Sequence, residues 1–70
     1  MSIPRSLYSV IGANLSAARQ SLDITIDEVA RRMQLSIAII EAVERCDLRP
    51  SPMELHIWCR MVRLPIHAVF

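Results

Sequence analysis

The sequence predicts an all-α fold of four to five short helices. Apolar residues recur at helical spacing in several segments, no alternating strand pattern occurs, and Ser or Thr followed by an acidic residue marks helix starts. Seventy residues make one small domain with a modest core.

Residues 1–8, which include Pro4, read as an N-terminal arm, and the domain as 9–70. From Ser9 the apolar positions Ile11, Leu15, Ala18 and Leu22 mark a first helix ending near Leu22. Asp23 and Ile24 form a short link. Thr25 is an N-cap with Glu28 three residues later, the capping-box arrangement. The second helix runs from about Ile26 to Met33, with Ile26, Val29, Ala30 and Met33 inward or partly so. Gln34-Leu35-Ser36 then makes a turn, with Ser36 as the next N-cap. A third helix follows to about Arg45, with Ile40 and Val43 inward and Leu35 plugging the turn. CDLRPSP is a loop, because its two prolines stop any helix. Ser51 and Pro52 suit a new N-cap and first helical position. The fourth helix spans about Pro52 to Arg63, its core face lined by Leu55, Trp58, Cys59 and Val62. Leu64-Pro65 breaks it, and Ile66 to Phe70 suit a last helical turn.

Composition bounds the function. The chain is 53% apolar with mean hydropathy +0.33, more than so small a domain can bury. The surplus predicts an apolar surface patch and hence a partner interface, first of all a homodimer. The net charge of +1 comes from eight Arg, with no Lys, against seven acidic residues. That balance does not argue for strong non-specific DNA binding, nor does it exclude DNA binding, because what matters is how charge is distributed over the surface. The start MSIPRSLYSV lacks a signal-peptide pattern, and no apolar run is long enough to span a membrane. Two Cys outside any CxxC pair build no disulfide framework. A reduced, cytoplasmic protein without a membrane segment is the expectation. No Gly-rich phosphate loop and no spaced Ser/His/Asp set occurs, so neither an enzyme nor a cofactor is expected. Cys46, His56, Cys59 and His67 do not suit zinc: Cys46 and His67 flank opposite ends of the fourth helix, and Cys59 takes a core position.

The stretch TIDEVARRMQLSIAIIEAVERC resembles the helix-turn-helix of phage Cro and repressor proteins, the Xre-like family. The matching positions are Thr25, Glu28, Val29-Ala30, Gln34, Leu35-Ser36 and Glu44. Upstream, IGANLSAARQ is similar to that family's first helix. Downstream, LRPSPMELHIWCRMVRLPIHAVF is similar to its loop, fourth helix and final turn. The resemblance covers about residues 9–70 and implies a lambda-repressor-like helix-turn-helix domain. It also implies a structural ion pair between Arg19 and Glu44. Gln34 and Cys46 stand where the family often has Gly, so a left-handed backbone is expected on non-glycine residues, at about 1 kcal/mol each.

The resemblance further implies a DNA-binding transcriptional regulator, repressor-like, placing helix 36–45 in the major groove of double-stranded DNA. Carried over by position, Ile37, Ala38, Ile39 and Ala42 face the bases, with Ile26 at the start of the second helix. None of these forms a side-chain hydrogen bond; they suit thymine methyls, leaving the rest of specificity to DNA shape. Arg31, Arg32, Arg45 and Arg49, with the helix starts at Thr25 and Ser36, are the phosphate anchors. The alternative is a protein-interaction module using the isoleucine strip, as in antitoxins of this fold or the similar RodZ-type cytoskeletal domains. For the homodimer, Met53, Ile57 and Met61 at spacing four, with Ile66, Val69 and Phe70, form the expected interface.

Overall fold

A computed structural model describes residues 5–70, with side chains from Val10 onward. Among these residues the chain forms helices α1 (Arg5–Ser21), α2 (Ile26–Met33), α3 (Ile37–Glu44) and α4 (Pro52–Met61), then a 3-10 turn, Ile66–Ala68. No strand occurs among them, so the fold is all-α. Helix α1 begins inside the stretch expected to be an arm: residues 5–8 are helical, while residues 1–4 lie outside the described ones. No described helix is long and apolar enough to cross a membrane.

Helices α2, α3 and α4 start as their sequences direct. Thr25, Ser36 and Ser51 hold extended backbones, and each side chain accepts a hydrogen bond from the amide three residues on. The reciprocal half of the capping box forms at Ser51, whose amide donates to Glu54 at 2.9 Å. At Thr25 the expected partner, Glu28, instead faces Arg32 at 3.5 Å.

All four helices end in the same turn. Asp23, Gln34, Cys46 and Arg63 have φ between 56° and 68°, and none is glycine. The residue after each donates its amide to the carbonyl five residues back: Ile24 to Arg19, Leu35 to Ala30, Asp47 to Ala42 and Leu64 to Cys59. This is the Schellman motif. Ile24, Leu35 and Leu64 also pack against the core, each acting as an apolar plug under its turn.

The core is Ile11, Leu15, Val29, Ala30, Ile40, Val43, Leu55, Trp58, Cys59, Val62 and Val69. Trp58 is its largest member, and its indole N–H finds no acceptor among the described residues. Burial pushes the Cys59 thiol up from its ordinary value of 9.0. Helix α2 packs on α3 and α4, and α1 packs on α3. The α1–α3 crossing passes over Gly12. A Cβ there would collide with the Val43 carbonyl and lie 2.7 Å from Cys46 Sγ.

Three side chains fall differently from the sequence expectation. Leu22 is exposed, because α1 ends one residue earlier and its Schellman turn assigns the plug to Ile24. Val69 is fully buried and so cannot serve a dimer surface. The 3-10 turn folds the chain back toward α1, where Asn14 donates its amide to the Val69 carbonyl at 3.0 Å. Met61 is half-buried and packs against the core, so it contributes only an edge to the outer stripe.

Candidate nucleic-acid interface

The candidate site is built on α2, the turn at Gln34 and α3. The left-handed Gln34 redirects the chain, and Leu35 pins the turn to the core. Ser36 Oγ then accepts from the Ile39 amide at 3.2 Å and starts the new helix. The sequence sets which face of α3 turns outward. Ile40 and Val43 are buried, and Ile37, Ala38, Ile39 and Glu41 are exposed. Ile37 keeps 45% and Ile39 36% of its surface, more than an ordinary core isoleucine retains. Ala42 and Ile26 are half-buried, and Ile26 packs partly on the core. Of the five expected base-facing residues, three are therefore exposed and two are half-buried.

Beneath this unit, Arg19 and Glu44 join α1 to the end of α3. Arg19 Nε donates to Glu44 Oε2 at 2.7 Å and Nη2 to Oε1 at 3.0 Å, a bidentate pair. Arg19 Nη1 also donates to the Ile24 carbonyl at 2.8 Å, tying in the α1–α2 turn. The side chains are only 11% and 8% exposed. One guanidinium thus fixes α1, the link before α2 and the end of α3, which sets the angle at which α3 stands out.

The four Arg expected at a phosphate backbone are exposed but not equivalent. Arg31 has no ion-pair partner among the described residues. Arg32 faces Glu28, and Arg45 Nε donates to Asp47 Oδ2 at 3.2 Å. Both contacts are solvent-exposed pairs of the kind worth little, so either Arg can exchange its carboxylate for another anion. Arg45 lines an open cleft of about 310 Å³ with Ser16, Gln20, Ile26 and Glu41 over the Arg19–Glu44 pair. Arg49 lines a different cleft, with Ile11, Pro50, Pro52, Leu55 and Phe70. The structure therefore groups Arg45 with Ile26 and sets Arg49 apart, in a cleft that is mostly apolar but includes Ser51.

Two contributors went unnoticed at the sequence level. Gly12 allows the close α1–α3 crossing; its signal is being the only glycine, set within a helical stripe. Asn14 holds the final turn; its signal is an amide on the stripe of Ile11, Leu15 and Ala18.

A family model described as a helix-turn-helix domain matches residues 14–56, from mid-α1 through α2, the turn and α3 into α4. No curated protein matches the chain.

Proposed function

We propose that this chain, which belongs to the helix-turn-helix domain family, is a DNA-binding regulator of the Cro/repressor type and not an enzyme. The observation that carries the reading is the presentation of α3. Its first turn, capped by Ser36, exposes Ile37, Ala38 and Ile39 while Ile40 and Val43 anchor it. In that geometry α3 enters the major groove, and α2 lies across the backbone. Arg31, Arg32 and Arg45, with the amide-bearing starts of α2 and α3, supply phosphate contacts. The apolar first turn packs on base methyls, and sequence-dependent shape supplies further specificity. As a repressor, the protein works in the cytoplasm by occupying its site.

A second copy fits this reading, since regulators of this kind bind paired half-sites. Met53, Ile57, Ile66 and Phe70 are all exposed large apolar residues and supply the interface in this proposal. The exposure of Ile37 and Ile39 also favours a second reading, in which the same strip docks a protein.

Salt separates the two readings. Protein–DNA binding weakens by a log–log slope of about −0.9 per phosphate contacted, whereas apolar docking does not. The test is retention of mixed genomic fragments at two salt concentrations by the wild type and by Arg31→Ala/Arg32→Ala. Selective, salt-sensitive retention that the double variant loses supports the DNA reading. No retention at low salt, where phosphate attraction is strongest, refutes it and leaves protein docking.

A further inference from the structure

The outward face of α3 carries one hydrogen-bonding group among its apolar residues. Glu41 is exposed, and among the described residues no ion pair or hydrogen bond engages its carboxylate. It lies four residues after Ile37 and three after Ala38, so the three side chains are neighbours on one helical face. A carboxylate is an acceptor only, and it is repelled by phosphate. In a major groove it is tolerable where it meets an exocyclic amino group, as on cytosine N4. Ile37 and Ala38 have the opposite preference, for a C5-methyl. Thymine offers the methyl but turns an acceptor, O4, toward the carboxylate. Cytosine offers the amino group without the methyl. One base carries both, 5-methylcytosine, with its methyl and N4 amino group on adjacent ring positions.

We infer that, resting on the DNA reading above, α3 selects C5-methylated pyrimidines and accepts 5-methylcytosine best. Ile37 and Ala38 hold the methyl, and Glu41 accepts from N4–H. Cytosine methylation would then strengthen binding. Arg45 lines the same cleft as Glu41 and, exchanging Asp47 for a phosphate, offsets the carboxylate's repulsion from the backbone.

The test needs no known operator. One pool of fragments is copied four ways: with thymine or uracil, and with cytosine or 5-methylcytosine. Each pool is titrated with the full chain. Withdrawing one methyl from an apolar contact corresponds to about a four-fold loss in affinity. The uracil/cytosine pool is therefore expected to bind at least about four-fold more weakly than the natural one, and 5-methylcytosine to restore or exceed it. Glu41→Ala, an exposed change whose folding is checked by circular dichroism, is expected to keep the thymine effect and lose the added gain from 5-methylcytosine. Equal binding to all four pools overturns the inference, and with it the methyl contacts of α3, while leaving DNA binding itself intact. A methylcytosine gain that persists in Glu41→Ala overturns the role of Glu41. Binding to no pool overturns both the inference and the reading beneath it.

Discussion

Gly12 and Gln34 make opposite demands on the backbone. Position 12 has ordinary helical geometry but no room for a Cβ, and position 34 has room but a left-handed φ of 57°. Gly12→Ala is expected to lower stability by about 1–3 kcal/mol despite alanine's better helix propensity, because the obstacle is the Val43 carbonyl and not a flexible side chain. Gln34→Gly is expected to raise stability by up to about 0.5 kcal/mol, the left-handed penalty of about 1 kcal/mol less glycine's entropy. Denaturant midpoints of both variants check the two signs. The Arg19–Glu44 pair supplies a third residue-scale prediction. Arg19→Met strands a nearly buried carboxylate and should cost about 3 kcal/mol. Adding Glu44→Leu should recover most of that loss, and a double-mutant cycle measures the recovery. The left-handed backbones at Gln34 and Cys46 were legible only through family resemblance, while those at Asp23 and Arg63 were not anticipated.

The elements were more legible than the residues between them. The bounds of α2 were readable from Thr25, the apolar spacing and the turn at Gln34. Helix α4 stops at Met61, two residues short of the expected Arg63, because Arg63 takes the left-handed place that closes the Schellman turn. Capping also separates by element. Ser51 and Glu54 satisfy two amides reciprocally, whereas Glu28 has turned to Arg32 and Thr25 works alone. Ser51→Ala is therefore expected to cost about 1–2 kcal/mol and Thr25→Ala about 1 kcal/mol or less, read from the same denaturation curves. The sequence pattern S/T-x-x-E is identical at the two sites. What differs is the cation four residues after Glu28, so the competition depends on a side chain outside the motif.

At the scale of the molecule, the apolar surface was predictable in amount and, for most of its residues, in place. An excess of apolar residues was evident from composition, and Met53, Ile57, Ile66 and Phe70 remain exposed. Val69 did not follow, because its position depends on how a 3-10 turn folds onto α1, a contact between residues 55 apart. If the exposed stripe joins two copies, the melting temperature rises with protein concentration, and Ile57→Glu removes that dependence. Light scattering across the same dilution series checks the species present. The candidate site was laid out in the sequence as positions on α2, α3 and the loop that follows. How far each is presented, and which Arg is already paired, required the packed structure.

The placement of glycine has a consequence for how this chain can vary. A scan of every substitution should yield an inverted map: the four turns that usually demand glycine would welcome it, and the one glycine present would accept nothing else. Lineages that drift at Asp23, Gln34, Cys46 and Arg63 would gain robustness there, and the freedom to explore new residues on α3 would follow from that reserve. A fold whose hinges hold unspent stability can change what its reading face recognises without first changing its architecture.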